Sequence, residues 1–143
     1  LKQEGVELLG LGEMGIGNTT AASAVIAALL KCPAAAVTGR GTGLGDTALT
    51  HKIQVIQKTL DLHERSFSDP LSVLQHVGGF EIAGMTGAIL AAVRLGIPVV
   101  IDGWIVSSAA LVAARLNPVV LEHLFFAHRS HEQGHQVLLE ALM

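Results

Sequence analysis

The chain has 143 residues, of which 50% are hydrophobic and 15% charged, and its formal net charge is −3. This balance excludes intrinsic disorder, which needs low hydrophobicity and a high net charge, and it predicts one domain over residues 1–143 with a buried core. The nine Lys and Arg residues are too scattered for a nucleic-acid surface. No uncharged run reaches the roughly 20 residues of a membrane span, and no signal-peptide pattern is visible, so we expect a cytoplasmic protein.

Two units of strand, glycine-rich loop and helix are predicted in the first half of the sequence. Val6 to Leu9 is a short apolar run that predicts a strand, and residues 20–30 are rich in alanine and other helix formers. Residues 34–37 form another short apolar run before a second glycine cluster at 39–45. Apolar residues then recur at helical spacing over 49–60, so the unit repeats.

The second half of the sequence alternates helices with short apolar runs. The predicted elements are a helix opened by Asp69 and Pro70, a buried helix over 81–95, a strand over 98–102, a helix over 107–116, a strand over 124–127 and a helix over 131–142. Gly84 and Gly87 give the 81–95 helix a small-residue face, which we expect to let another backbone approach closely. Short apolar strands that alternate with helices predict an α/β fold with a mostly parallel sheet.

The stretch from Leu9 to Thr20 carries the strongest functional signal of the sequence. Its glycines lie between a predicted strand and a helix start, where free backbone N–H groups and the helix dipole favour an anion. The stretch therefore predicts a phosphate site, and the alternative is a tight turn in which Asn18 or Thr19 is an ordinary N-cap. Because a carboxylate repels phosphate, we expect Glu13 to face a cationic or hydrogen-bond-donating part of a ligand.

Two other chemistries have weaker support in the same half of the sequence. Residues 10–15 match the G-x-G-x-x-G fingerprint of dinucleotide-binding folds, but segment 31–38 lacks the ribose-binding Asp or Glu. Arg40 could serve a 2′-phosphate, which leaves an NADP-binding oxidoreductase domain as an alternative. Cys32 lies in an apolar context and is interpreted as a buried small hydrophobic residue rather than a catalytic thiol.

Lys52 and Asp102 are further candidates for a ligand site. The second glycine cluster, which contains Gly41, could supply a backbone nest, and Lys52 could supply a point charge for the same phosphate. Alternatively, Lys52 is a solvated residue on an amphipathic helix. Asp102 follows a predicted parallel strand at its carboxyl edge, where open α/β proteins bind ligands, although a helix-capping or turn role is an alternative.

A histidine motif near the end of the chain is a candidate zinc site. Residues 131–135 match the H-E-x-x-H motif of zinc proteases. Gly134 weakens the helix that the motif needs, and no third ligand follows where the extended motif would place it. We therefore expect no metal and interpret His128, His131 and His135 as polar residues on an exposed helix start.

Three longer segments resemble one known family. They are Gly-Glu-Met-Gly-Ile-Gly-Asn-Thr-Thr-Ala-Ala at 12–22, Val-Gly-Gly-Phe-Glu-Ile-Ala-Gly-Met-Thr-Gly at 77–87, and Pro-Val-Val-Ile-Asp-Gly-Trp-Ile-Val-Ser-Ser-Ala-Ala-Leu at 98–111. In this order they resemble the nicotinate-nucleotide:dimethylbenzimidazole phosphoribosyltransferases, which build the lower nucleotide loop of cobalamin. The resemblance covers essentially the whole chain and implies a Rossmann-like fold in α/β/α layers and a homodimer.

The resemblance also implies a reaction and roles for individual residues. The family transfers phosphoribose from nicotinate mononucleotide to dimethylbenzimidazole, which gives α-ribazole phosphate and nicotinate, and no cofactor is expected. Glu13 and Asp102 match carboxylates of the family's active site, which would stabilise a cationic oxocarbenium-like transition state. The residues that would bind the substrate, with the 5′-phosphate on backbone N–H groups and the Lys52 charge, are Gly15, Gly17, Asn18, Thr19, Gly41 and Lys52.

One part of the family pattern does not occur in the sequence. The benzimidazole nitrogen must lose a proton, and the family's general base is a glutamate in a segment of the type Arg-Leu-Gly-Glu-Gly, which these 143 residues do not contain. The first residue is Leu1, and Met143 closes a helical pattern with no stop signal, so we expect a central fragment that lacks the small helical domain and is inactive alone. The alternative is a non-catalytic module that binds phosphate ligands or pairs with a chain that supplies the base.

Overall fold

The computed structural model describes residues 2–41, 43–130 and 132–142. The strands are β1 (Leu9–Gly12), β2 (Val99–Asp102) and β3 (Leu124–Phe126). The helices are α1 (Thr19–Leu30), α2 (Ala34–Val37), α3 (Asp46–His63), α4 (Pro70–Val77), α5 (Phe80–Arg94), α6 (Trp104–Leu116) and α7 (Gln133–Leu142). Short 3₁₀ turns lie at Lys2–Glu4, Glu64–Ser66 and Pro118–His123.

The three strands form a parallel sheet in the order β1-β2-β3. In this sheet Gly12 at the end of β1 is paired with Asp102 at the end of β2, and Ile101 is paired with Phe126 at the end of β3. The carboxyl ends of all three strands therefore share one edge. Helices connect successive strands, as parallel pairing requires. The predicted α/β fold, with a parallel sheet flanked by helices, is confirmed.

The first strand lies later in the chain than predicted. β1 covers Leu9–Gly12, whereas the prediction covered Val6 to Leu9. Leu8 is 56% exposed, so the apolar run is not a buried strand. Leu9 and Leu11 pack against the core, and Gly10 and Gly12 between them are exposed. The alternation of leucine and glycine with period two marks this strand, because successive side chains of a strand point to opposite faces.

The apolar run at 34–37 is a helical turn and not a second strand. Ala34 and Val37, three residues apart, are both fully buried, which is a helical spacing. The Thr38 hydroxyl donates a hydrogen bond to the Ala34 carbonyl oxygen at 2.6 Å. Three consecutive alanines favour a helix over a strand because alanine has the highest helix propensity.

Helices α1 and α6 form the centre of the core. All residues from 104 to 114 of α6 and from 22 to 27 of α1 are buried. Helix α5 packs beside α6, where the Thr86 hydroxyl lies 3.3 Å from the Ala109 carbonyl oxygen. Gly84 and Gly87 are exposed, and an added Cβ at either position would meet no described atom within 4 Å. The expected close approach of a backbone at these glycines is therefore wrong for the described residues.

Helix α4 begins as the sequence predicts. The Asp69 carboxylate accepts a hydrogen bond from the Ser72 backbone N–H at 2.8 Å, and Pro70 occupies the first helical position. The last helix begins at Gln133, two residues after the predicted start at His131, which lies outside the described residues. Among the described helices, none has the length and apolar character of a membrane span.

Candidate functional site

The carboxyl edge of the sheet brings the ends of β1 and β2 together. Gly12 and Asp102 are register partners, and an Asp102 carboxylate oxygen lies 3.6 Å from the position that a Cβ on Gly12 would occupy. Asp102 is exposed, and Gly103 after it has a φ of +88°, which turns the chain into α6. Asp102 caps no helix through its side chain, because the N-cap of α6 is Gly103. The exposed carboxylate is thus available at a ligand-accessible edge.

The loop from β1 to α1 turns back on itself through two glycines. Gly15 and Gly17 have φ angles of +79° and +81°, which a residue with a side chain rarely adopts. Within this loop the Glu13 carboxylate accepts a hydrogen bond from the Gly15 backbone N–H at 2.5 Å. Gly15 also lies over α6, since an added Cβ would meet Ile105 at 3.9 Å. Glu13 therefore holds the loop shape, and the Gly15 N–H already faces a carboxylate.

The start of α1 is not capped in the ordinary way. Asn18 occupies the N-cap position, but its side chain makes no capping hydrogen bond. Its amide nitrogen donates to a Glu81 carboxylate oxygen at 3.3 Å, and its amide oxygen is buried without a hydrogen-bond partner among the described residues. The N–H groups of the first turn of a helix have no carbonyl partner inside the helix, so this end of α1 favours an anion.

Lys52 lies beside this helix start and is buried, with 7% of its surface exposed. Its ammonium donates to the Thr19 hydroxyl oxygen at 2.9 Å and to the Gly39 carbonyl oxygen at 3.2 Å. Burial lowers the pKa of the Lys52 ammonium, and the nearby Glu132 carboxylate acts in the opposite direction. The alternative interpretation of Lys52 as a solvated surface residue is therefore wrong.

The second glycine cluster closes over the same ammonium. Gly41 has a φ of +54°, and an added Cβ would lie 3.1 Å from the Thr19 hydroxyl oxygen and 3.8 Å from the Lys52 nitrogen. A side chain at position 41 would therefore press on both polar groups. Gly41, Thr19 and Lys52 form one cluster, which we call the lysine cluster. It joins both glycine-rich segments at the start of α1.

Two residues of the β3–α7 loop (residues 127–130 and 132) were not predicted at the site, and the prediction that His128 lies on a helix start is wrong because α7 begins only at Gln133. A His128 ring nitrogen, Nδ1, lies 3.1 Å from an Asp102 carboxylate oxygen. A Cβ on Gly39 would come within 1.7 Å of the Glu132 carboxylate, so this side chain packs directly on the Gly39 backbone. His128 comes two residues after the end of β3, and Asp102 is the last residue of β2, so both lie at the carboxyl edge of the sheet where α/β proteins bind ligands.

His135 is a buried residue, not part of an exposed helix start. It is 1% exposed, and its Nδ1 accepts a hydrogen bond from the Ser130 backbone N–H at 2.7 Å. The Ser107 hydroxyl donates to the Gly103 carbonyl oxygen, so the Ser107 oxygen accepts from His135 Nε2 at 2.9 Å. Burial, together with the charges of His128 and Arg129, lowers the pKa of His135. The hydrogen bonds and the pKa both favour the neutral imidazole.

The described residues give little support to a zinc site, an NADP site at Arg40 or a catalytic thiol at Cys32. Both ring nitrogens of His135 are hydrogen-bonded, and among the described residues no three His, Cys, Asp or Glu side chains are grouped to hold a metal ion. The Arg40 guanidinium is paired with Asp46 at 2.5 Å, and Arg40 also donates to the Leu44 carbonyl oxygen. Cys32 is half-buried, and burial raises the pKa of its thiol, which disfavours the reactive thiolate.

Comparison with known proteins assigns the chain to a family. A family model described as phosphoribosyltransferase matches residues 1–143. Proteins named nicotinate-nucleotide–dimethylbenzimidazole phosphoribosyltransferase from Pseudoalteromonas translucida and Geobacter sp. strain M21 are 51% and 53% identical over 99% of this chain. The crystal structure of CobT from Thermus thermophilus superimposes with a TM-score of 0.91 at 45% identity, covering 99% of this chain.

The matches also set the extent of the chain against its relatives. The chain spans 40% of the length of the two relatives and 42% of the CobT chain. The family model nevertheless matches every residue of the chain, and both relatives are more than 50% identical to it. These matches establish the family. Residues 1–143 belong to the nicotinate-nucleotide:dimethylbenzimidazole phosphoribosyltransferase family.

Proposed function

We propose that this chain supplies the phosphoribose-binding part of an enzyme of cobalamin biosynthesis. The enzyme transfers phosphoribose from nicotinate mononucleotide to a dimethylbenzimidazole-type base, with α-ribazole phosphate and nicotinate as products. The names of relatives at 51% and 53% identity support this reaction. We also propose that the full-length enzyme is a cytoplasmic homodimer, as the resemblance implies.

The lysine cluster is the observation that carries this proposal. A buried ammonium beside the start of a 12-residue helix combines a full positive charge with the positive end of the helix dipole. Thr19 and Gly39 accept two of the three hydrogens of Lys52, which leaves one for a ligand oxygen. In this proposal the 5′-phosphate lies between the Lys52 ammonium and the backbone N–H groups of Gly17, Asn18 and Thr19.

The two carboxylates at the sheet edge suit the chemistry at the ribose. Breaking the bond between the anomeric carbon and the pyridinium nitrogen develops positive charge on the sugar, and nearby carboxylates stabilise such a charge. Glu13 follows the last residue of β1, and Asp102 is the last residue of the neighbouring strand β2, so both carboxylates lie at this edge to supply these charges. The bond's electron pair goes to the ring nitrogen, so nicotinate leaves with a neutral ring nitrogen and needs no general acid.

Deprotonation of the incoming base calls for a residue outside these 143. One benzimidazole nitrogen attacks the anomeric carbon, and the other must then lose its proton to a general base. The family's base lies in a segment of the type Arg-Leu-Gly-Glu-Gly, which is not found in this sequence. We therefore expect the 143-residue polypeptide to bind the nucleotide and not to complete the reaction.

Two measurements on the wild-type polypeptide test this proposal. Calorimetric titration with nicotinate mononucleotide should show weak, saturable binding, and chromatography after addition of dimethylbenzimidazole should show no α-ribazole phosphate. A folded polypeptide without any binding would contradict the phosphoribose site. Normal turnover would contradict the claim that the general base lies elsewhere.

A further inference from the structure

Asp102 is held between two neighbouring strands. One carboxylate oxygen faces Gly12 at the end of β1, and the other lies 3.1 Å from His128 Nδ1 beyond the end of β3. Gly12 contributes no side chain, and among the described residues His128 is the cationic or titratable group found in contact with this carboxylate. Both side chains are about half exposed, at 60% for Asp102 and 52% for His128, so the pair lies at the surface of the site.

His128 is itself anchored on both sides along the chain. Before it, the Ala127 backbone N–H donates to the Ile101 carbonyl oxygen at 3.0 Å, which continues the β2–β3 ladder. After it, the Ser130 backbone N–H donates to the buried His135 ring at 2.7 Å. His135 in turn bonds to Ser107 in the first turn of α6. The backbone of residue 128 is therefore held in place on both sides, next to the end of β2 at Asp102.

We propose that His128 is a positioning residue of the site, whose imidazole fixes the Asp102 carboxylate so that its negative charge faces the cationic centre of the bound nucleotide. This inference rests on the proposed function, since it takes the ligand to be a pyridinium nucleotide. It assigns His128 a role through Asp102 and no contact with the reacting atoms.

The His128–Asp102 pair should distinguish a ligand that carries a cation from one that does not. The His128 imidazole adds no negative charge beside Asp102, and its Nδ1 lies 3.1 Å from the carboxylate, close enough to orient it. Besides His128 and Asp102, the charged or titratable groups found at the described part of this loop are Arg129 and Glu132 within it, the buried His135 of α7, and Lys52 of α3, which lies near Glu132. An oriented carboxylate attracts the pyridinium of nicotinate mononucleotide but gains nothing from ribose 5-phosphate, which has no such cation. Substitution of His128 should therefore weaken the binding of nicotinate mononucleotide and leave the binding of ribose 5-phosphate unchanged.

Binding of these two ligands to matched variants is the first arm of the test. His128→Leu removes the ring nitrogen that lies 3.1 Å from Asp102, whereas His128→Asn keeps a polar nitrogen near that position. We expect His128→Leu to weaken nicotinate mononucleotide about threefold to fivefold, the upper range for an exposed pair, with ribose 5-phosphate unchanged. His128→Asn should restore most of the affinity. If Asp102→Asn weakens the nucleotide and His128→Leu does not, the positioning role is overturned.

The second arm needs no ligand and separates this inference from the proposed function. Nitrogen-15 NMR of the imidazole should show the His128 proton on Nδ1 in the wild type, and Asp102→Ala, which removes the acceptor, should abolish that preference. A proton on Nε2 in the wild type would overturn the pairing whatever the ligands do. If neither ligand binds the folded wild type, the proposed function fails, and the NMR result alone decides whether the His128–Asp102 pair exists.

Discussion

The Lys52 ammonium lies 2.9 Å from the hydroxyl oxygen of Thr19, a residue 33 positions earlier in the chain. This contact ties the second turn of α3 to the first residue of α1. It makes a single cluster, with the Lys52 ammonium buried, from two glycine-rich segments that the sequence presents separately. The cost of burying the Lys52 charge is offset by two hydrogen bonds and by the Glu132 carboxylate, an arrangement that is ready to receive an anion.

Gly41→Ala tests whether the second glycine cluster belongs to the binding site. The added methyl group would press on the Thr19 hydroxyl and approach Lys52, and the φ of +54° adds strain of about 1–2 kcal/mol. We expect weaker binding of nicotinate mononucleotide in calorimetry and lower stability in urea. Gly43→Ala is the control, because its φ of +111° is also strained but no described atom lies within 4 Å of an added Cβ. Equal losses of affinity in both variants would contradict a local role for Gly41.

Gly134→Ala tests the packing of α7. An added Cβ would lie 2.6 Å from the Val37 Cα and 2.7 Å from the Trp104 ring, so the helix must shift. We expect a loss of about 1–3 kcal/mol in the free energy of unfolding, although alanine favours a helix over glycine. Gly87→Ala in α5 meets no described atom and should stabilise the protein by about 0.5–1 kcal/mol. Urea unfolding measures both, and a stabilising Gly134→Ala would show that α7 does not pack here.

His135 should make the protein less stable in mild acid. Its pKa is lowered in the folded state, chiefly by burial, from the ordinary value of about 6.5 that applies when the chain unfolds. Between the folded-state pKa and 6.5 the unfolded chain binds more protons, so stability is complete above this window and falls as the pH decreases through it. Urea unfolding at pH 7.5 and 5.5 should show the loss, and His135→Gln should reduce the difference. His51→Gln at an exposed position is the control; a loss that follows His51 instead would refute the assignment.

Local patterns predicted most helices but misplaced elements whose identity depends on pairing. Asp69 and Pro70 predicted the start of α4 because a cap and its helix are adjacent in sequence. The apolar run from Val6 to Leu9 is a stronger local signal for a strand than the Leu–Gly alternation of β1. Pairing with β2 determines which residues form the strand, and that pairing is not visible in the local sequence. Helix α2 was assigned to a repeated strand unit although its alanines favour a helix.

The candidate site was only partly predictable for a related reason. Lys52 precedes the buried Ile56 and Leu60 by four and eight residues, so helical spacing already put it on the buried face of α3. The contact of Lys52 with Thr19 joins two distant helices and leaves no local trace. His128 reaches Asp102 because β3 lies beside β2, and the strand order is a tertiary feature that no short motif encodes.

Binding of nicotinate mononucleotide to Lys52→Met, compared with Lys58→Met, tests whether the lysine cluster holds the phosphate. Both lysines lie on α3, but Lys58 is exposed and outside the lysine cluster. Loss of a charge-assisted hydrogen bond costs about 1.5–3 kcal/mol, so Lys52→Met should weaken the nucleotide roughly tenfold to a hundredfold. Lys58→Met should bind it normally, and free nicotinate should be unaffected in both. A folded Lys52→Met protein that binds the nucleotide as the wild type does, or that loses nicotinate and nucleotide equally, would contradict the phosphate site.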